Sequence, residues 1–529
     1  MNRSHNNMFG AVRWCLLLPL LYALGLTGAP GASSSPNIVL FYVDDLGWTD
    51  TSVHMIKERA DTRSDYYRTP NLERFAREGM IFSNAYAPAP VCTPSRSSML
   101  YGMTPARLRN ATLNTDAAKK KNLGVLSIPQ ALKQADSSYV TAHFGKWHMP
   151  YITPTGVGYD VTDGPTGNGE GDLDDNNQPL PEDDPKRMFS LTDRTEAFME
   201  KQARAERPFF VQVSHYAVHV GHASLPATRE KYRRLPRGKK CTDRDYEDPA
   251  TFESEEIRCN WILNYAAMID DLDRTFGDLL SKIEELGIGD NTYVFFTSDN
   301  GGGLRGNDPL RGAKADLTEG GIRVPMVVRG PGVLKDAYCD EPVVGWDLLP
   351  TFSDLAGATA ALPDVLDGGS LRSVLEQGND GSVARASDAL VFHFPWYNME
   401  PESAIRQGRY KLLKNLDTRS LSLFDLSRDP EEQNDLSRTM TDKVAELHDQ
   451  LNGYLEEVNA EDVQALRKGY RKRVVEEWIP NWEEKVKTLR KEVEEGAEDR
   501  TAELAKAERH VKWLHGQVAF TDERSKLHE

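Results

Sequence analysis

The chain has 529 residues, 39% of them hydrophobic and 27% charged, which excludes a staple-dependent mini-protein, a disordered chain and a polytopic membrane protein. At about 150 residues per unit, the length allows three or four domain units, or one large core absorbing more than half of it. A formal net charge of −17 opposes nonspecific binding to nucleic acid, which needs a cationic surface, yet permits a locally positive pocket for a small anion.

Arg3 and Arg13 precede an apolar run from Trp14 to Leu26, followed by the small-residue stretch Thr27 to Ala32. This is the layout of a secretory signal peptide over residues 1–32, and the run is too short for a stable membrane span. The protein is therefore expected to be exported, to a periplasm or the cell exterior, with a mature start between residues 29 and 37. Cys15 falls in that segment, leaving Cys92, Cys241, Cys259 and Cys339. These have no zinc-site or redox-site spacing, and Cys241 with Cys259 is the candidate disulfide pair.

The run Pro36 to Val43 is apolar without a break, as in a buried parallel strand, and it ends in Asp44-Asp45. Thr69-Pro70, with Leu72, Phe75 and Ala76 before Gly79, predicts a short helix. Cys92-Thr93-Pro94-Ser95-Arg96 follows a proline-rich loop and precedes a helix expected from about Ser97. A second helix from Ser127 leads to a strand at Tyr139 to Ala142, and Lys146-Trp147-His148 follows it. Residues 163–187 are rich in Gly, Pro, Asn and Asp, lack an apolar period and match no calcium-loop template, so they predict a solvated acidic loop.

A helix over 191–206 then feeds the strand 209–214, with His219 five residues beyond it, and a helix over 254–285 feeds the strand 292–298, which ends in Asp299-Asn300. Lys314 stands before Glu319-Gly320-Gly321, a strand at 324–328 and a helix at 346–355. This alternation predicts an α/β fold, a large mostly parallel sheet flanked by helices with its site at the carboxyl ends of the strands. Residues 33–384 form the expected catalytic domain. Short alternating runs over 385–460 predict a smaller α/β subdomain with an antiparallel sheet and a helix near 439–457. Residues 461–529 are a charged helical extension whose stripe of Trp482, Val486, Leu489, Val493, Leu504, Val511 and Leu514 suits docking on the catalytic domain or an oligomer contact.

Asp44, Asp45, Asp299 and Asn300 form an all-oxygen donor set at two strand ends, suited to Ca2+ or Mg2+, although such pairs are also common turn formers. Arg96, Lys146, His148, His219 and Lys314 form a cationic set at neighbouring strand ends. A hard cation together with fixed positive side chains describes a pocket for a tetrahedral anionic ester.

Cys92-Thr93-Pro94-Ser95-Arg96 resembles the signature of the formylglycine-dependent sulfatases, whose fold is alkaline-phosphatase-like and in which the cysteine of a Cys-x-Pro-x-Arg segment is oxidised to formylglycine. The resemblance implies that Asp44, Asp45, Asp299 and Asn300 hold the divalent metal, that Cys92 becomes the nucleophile and that Arg96 steadies it. It also implies that Lys146 and His148 contact sulfate and the aldehyde hydrate, and that His219 and Lys314 act near the leaving oxygen. Val218 and Ala313 depart from the residues common in the family. A formylglycine-generating enzyme would be a partner during biosynthesis, and the substrate would be a sulfated saccharide, with His393-Phe394-Pro395-Trp396-Tyr397, Arg323 and Arg406 either at the pocket rim or structural. Two other readings compete. One is a phosphatase or phosphodiesterase using Thr93 or Ser95, with His143, His215 and His222 as spare metal ligands; the other is a noncatalytic binder of sulfated glycans in which Cys92 is not converted.

Overall fold

The computed structural model describes residues 35–111, 125–174, 176–236, 238, 255–303, 307–395, 400–497 and 500–526. The expected signal peptide, Cys241, Trp396 and Tyr397 lie outside the described residues. Cys259 is disulfide-bonded, while Cys92 and Cys339 are free and buried.

In chain order the strands are β1 Asn37–Val43, β2 Met80–Phe82, β3 Ala85–Tyr86, β4 Val140–Gly145, β5 Val161–Thr162, β6 Phe209–Ser214 and β7 Thr292–Ser298. They continue with β8 Met326–Arg329, β9 Ala337–Cys339, β10 Val343–Val344, β11 Ala389–Phe394, β12 Glu402–Gln407, β13 Tyr410–Asn415 and β14 Leu421–Asp425. Eight of them form one sheet in the order β5-β4-β6-β1-β7-β8-β2-β9. β1 pairs in parallel with both β6 and β7, and only β8 is reversed against its neighbours.

The unbroken apolar run of β1 serves both faces of this sheet. Val39, Phe41 and Val43 enter a core packed by the helices Met188–Arg204 and Glu255–Glu285, while Ile38, Leu40 and Tyr42 enter a second core on the opposite face. Alternate side chains leave a strand on opposite sides, so a central strand covered on both faces must be apolar throughout.

The four-stranded antiparallel sheet β11-β12-β13-β14 packs one face on Trp346, Leu317 and Ile322 and the other on Leu447 and Leu451 of the helix Thr441–Glu457. Beyond it, the helices Val463–Arg473, Ile479–Glu494 and Thr501–Ser525 gather around Tyr470, Val474, Ile479 and Leu514. Arg467 anchors this group through a buried bidentate pair with Asp417, at 2.5 and 2.7 Å. Among the described residues no helix is long and apolar enough to cross a membrane.

Several boundaries differ from the sequence reading, and two of them have a plain physical cause. The helix expected from about Ser97 runs from Cys92 to Tyr101. Pro94 lies in its first turn, where a missing N–H has no intrahelical partner to lose, so the proline is accommodated inside the helix. The strand expected at 324–328 begins at Met326, because Pro325 cannot donate to the ladder.

Candidate active site

Strand ends bring the predicted residues together. Asp44 and Asp45 follow β1, and the neighbouring strand β7 delivers Asp299 and Asn300 in register, with Val43 opposite Ser298. Asp45 adopts the left-handed backbone at φ 62°, a strained conformation that aspartate tolerates better than most residues. Its amide donates to Asp299 Oδ1 at 3.1 Å, and Asn300 Nδ2 donates to Asp45 Oδ1 at 2.8 Å.

On the other flank of β1, Lys146 follows β4. Gly145 makes the turn at φ 87°, and a Cβ there would stand 2.1 Å from the Ser214 carbonyl oxygen, so no other residue fits. Lys314 lies on a loop held by its own amide to Gly302 O at 3.0 Å and by the Ala315 amide to Pro90 O at 2.9 Å.

Each carboxylate has its own cation. Lys146 Nζ meets Asp44 Oδ2 at 2.5 Å, Lys314 Nζ meets Asp45 at 2.8 Å, and Arg96 meets Asp299 Oδ2 through Nε and Nη2, both at 2.8 Å. The Arg96 guanidinium also donates to Lys146 O at 2.6 Å and lies over the Tyr42 ring. Cys92, at the first turn of its helix, receives both ammonium groups: its Sγ is 3.5 Å from Lys146 Nζ and 3.7 Å from Lys314 Nζ. His219 Nε2 stands 3.9 Å from Asp45 Oδ2 and keeps 16% of its side chain exposed, so it occupies the more open side.

Burial works to raise the Asp44 carboxyl, but the Lys146 ammonium, aided by Arg96, outweighs it and holds the group below the usual carboxylate range. Burial likewise opposes charge on Lys146 and Lys314, and Asp44 and Asp45 respectively more than offset it, so both stay cationic. Burial pushes the Cys92 thiol up to about 12 against the pull of Lys146, so the unmodified residue is a thiol rather than a nucleophilic thiolate at neutral pH. Burial, then Lys146 and Arg96, lowers His148 to about 2, leaving its imidazole neutral.

The donor chemistry fits a hard divalent cation. Asp44 Oδ1 and Asn300 Oδ1 are buried oxygens without hydrogen-bond partners, and one ligand atom from each of Asp44, Asp45 and Cys92 lies within 4.8 Å of the others. Unpaired buried oxygens beside further carboxylate oxygens are what Ca2+ or Mg2+ requires.

A profile of the Sulfatase family matches residues 36–358, and a profile of the N-sulphoglucosamine sulphohydrolase C-terminal region matches residues 314–461. The chain belongs to the sulfatase family. It is 30% identical to the N-acetylgalactosamine-6-sulfatase of Canis lupus familiaris over 442 residues, covering 76% of this chain and 75% of that one. It is 29% identical to a sulfatase of Formosa agariphila over 524 residues, covering 81% and 90% of the two chains. Among solved structures, Ps i-CgsB in complex with k-i-k-neocarrahexaose superposes with a TM-score of 0.64 at 23% identity, covering 80% of this chain and 93% of that one. The sheet of this sulfatase therefore has the fold of that family, and the protein is a sulfuric ester hydrolase.

Other residues suggested by the sequence do other work in this sulfatase. Arg323 is buried and donates to Ser83 O and Asn84 Oδ1 while lying over Trp48, and Arg406 donates to the Tyr86 hydroxyl. His393 bonds Ser403 Oγ and Glu461 O. Of the two alternatives open for these three residues, rim or structural, the hydrogen bonds select the structural one. His143 packs against Trp147 and Tyr159, and His215 against Phe41; burial lowers both to about 3, as for neutral core histidines. Thr93, a nucleophile in the phosphatase reading, has its hydroxyl committed to His148 O at 2.8 Å. Two contributors were not singled out beforehand: Tyr265 on the helix Glu255–Glu285, whose hydroxyl donates to Asp50 Oδ2 at 2.8 Å beneath Asp45, and Thr166. The sequence reading includes the helix that carries Tyr265 without singling it out, and nothing in the local pattern marked Thr166.

Proposed function

We propose that this sulfatase is an exported carbohydrate sulfatase that uses formylglycine made from Cys92 and a Ca2+ or Mg2+ ion held by Asp44, Asp45, Asp299 and Asn300. The observation that carries the reading is the convergence of Lys146 and Lys314 on Cys92 Sγ from two sides, each ammonium also paired to one of the two aspartates after β1. When present, the cation supplies Lewis acidity toward a sulfate oxygen and the converted residue supplies a hydrated aldehyde as nucleophile.

The remaining work falls to the chain's own side chains. Lys146 and Lys314 bind the nonbridging oxygens and oppose the charge that grows on them, in a water-poor site where fixed charges act strongly. His219, on the open side, gives a proton at Nε2 to the leaving oxygen as the S–O bond breaks. His148, neutral and with a buried Nδ1 that has no hydrogen-bond partner, accepts a hydrogen bond from the second hydroxyl, whose proton must leave before sulfate is expelled. Arg96 keeps Lys146 and Asp299 in place.

The substrate class is a sulfated saccharide, in keeping with the amino-sugar names of the canine relative and of the second family match. Residues 33–384 would form the catalytic domain, 385–460 the subdomain and 461–529 the extension, with residues 1–32 removed on export and Cys92 converted by a formylglycine-generating enzyme. The test combines intact-protein mass, which registers conversion of the Cys92 CH2–SH group to an aldehyde by loss of sulfur and two hydrogens and gain of one oxygen, with sulfate release from a panel of defined sulfated oligosaccharides. Converted protein that frees sulfate, and Cys92→Ser protein that does not turn over, support the reading. Normal turnover by Cys92→Ser overturns it.

A further inference from the structure

We infer that the described residues of the acidic loop, 163–174 and 176–187, strap the backbone of the catalytic segments, with Thr166 and Lys186 as positioning residues. This rests on the roles proposed above for Lys146, His148 and His219. Thr166 alone serves three backbone groups of the Gly145–His148 turn: its Oγ1 donates to Gly145 O at 2.5 Å and accepts from the Trp147 amide at 3.0 Å, while its carbonyl accepts from the His148 amide at 2.8 Å. Asp163 Oδ2 takes the Gly145 amide at 2.8 Å and is itself steadied because Asp163 Oδ1 pairs with Arg194 at 2.7 Å. From the opposite side the turn is held by Arg96 on Lys146 O and by Thr93 on His148 O.

His148 needs such bracing. Its φ of 53° is left-handed, a conformation that a non-glycine residue keeps only where its surroundings over-determine it. At the far end of the strap, Lys186, with only 2% of its side chain exposed, donates to Val220 O at 2.8 Å and also bonds Asp172. Val220 is the residue after His219. One loop thus ties the turn carrying Lys146 and His148 to the turn carrying His219, and the acidic composition that reads as solvation covers a mechanical role.

The test uses the full, Cys92-converted protein. Thr166→Val keeps the volume and removes both side-chain hydrogen bonds, and misplacement of catalytic groups by about 1 Å costs on the order of 100-fold. Thr166→Val is expected to lower kcat by ~10- to 100-fold with KM changed less than about 3-fold, and Thr166→Ser, which keeps the hydroxyl, to recover most of the rate. Hydrogen exchange over residues 145–148 should quicken in Thr166→Val and stay near wild type in Thr166→Ser.

Lys186→Met carries the same test if Thr166→Val does not fold. Its rate should fall more for alkyl sulfates, which need the proton from His219, than for aryl sulfates with good leaving groups. A Thr166→Val enzyme with wild-type kcat, a serine variant no better than valine, unchanged exchange at 145–148, or an equal loss on both ester types in Lys186→Met would overturn the strap. Converted wild-type protein that frees no sulfate defeats the sulfatase mechanism alone, and exchange still decides the strap.

Discussion

Lys146→Met isolates one of the three ion pairs. Methionine has nearly the reach of lysine without its charge, so the change leaves Asp44 in a fully buried place without its 2.5 Å partner; the nearest remaining cation is Arg96, 3.8 Å from Oδ1. Removing one partner of a buried pair costs about 3–5 kcal/mol, and the residual Arg96 contact places this case at the lower end, about 3 kcal/mol. Loss of a preorganised charge facing the reacting group costs a further ~100- to 1,000-fold in kcat.

The assay is urea unfolding of wild type and variant, each with chelator and with Ca2+, beside turnover of an aryl sulfate in Ca2+. The destabilisation should be largest in chelator and shrink in Ca2+, because a dication restores opposite charge to Asp44, whereas kcat should not recover. Equal stability of the two proteins in chelator, or a variant kcat within threefold of wild type, would refute the assignment of Lys146 to both duties.

Chelation of the wild-type enzyme should abolish turnover, with recovery on adding Ca2+ or Mg2+ and a rise in midpoint temperature that follows the logarithm of cation concentration; activity that survives exhaustive chelation counts against the oxygen donor set. Arg467→Met removes the bidentate partner of the buried Asp417, which keeps Arg524 at 3.1 Å. It should lower stability by about 2–4 kcal/mol while kcat/KM on a small aryl ester stays within twofold; a matching loss of kcat/KM would tie the helices after residue 461 to the chemistry. Burial pushes Glu402 up to about 7. Its raised folded value means that the native state binds the extra proton between the unfolded carboxylate range and pH 7, so stability is lost as pH rises through that window. Glu402→Gln should remove this slope, so its stability relative to wild type grows from pH 5 to pH 8, read by denaturant unfolding at the two values; a constant difference would exclude Glu402 as the source.

Much of the site was legible because this fold class places chemistry at strand termini. Asp44-Asp45 and Asp299-Asn300 each follow an unbroken apolar run, Lys146 follows a strand read only to Ala142, and parallel pairing of β1 with β6 and β7, and of β4 with β6, brings those ends together. Their pairing was not legible. Which ammonium meets which carboxylate depends on side chains 102 and 269 residues apart in sequence, and residue type alone is degenerate. The helix expected from about Ser97 starts earlier, at Cys92, because its first turn tolerates Pro94 where a helix interior would not.

The acidic loop was read as solvent-facing because composition reports the fate of side chains on average. Thr166 acts instead through backbone partners, which leave no periodic trace. Arg467 sits in a segment dense with Lys and Arg whose appearance is that of a wetted surface, and only the tertiary position of Asp417 turns it inward.

The one-to-one matching of Asp44, Asp45 and Asp299 with Lys146, Lys314 and Arg96 bears on how the enzyme fills. A lone sulfate ester approaching this centre finds its two would-be ligands, Lys146 and Lys314, already neutralised, and a dication, though it meets the unpaired Asp44 Oδ1 and Asn300 Oδ1, must share the two aspartates with those ammoniums. On the proposed roles each guest would free the host groups of the other: a cation held by Asp44 and Asp45 would leave the two ammoniums to the ester, and an ester held by the ammoniums would bare the carboxylates. Cation and ester occupancy are then thermodynamically linked, so scarcity of the cation would register as weakened hold on the ester as well as slower bond cleavage.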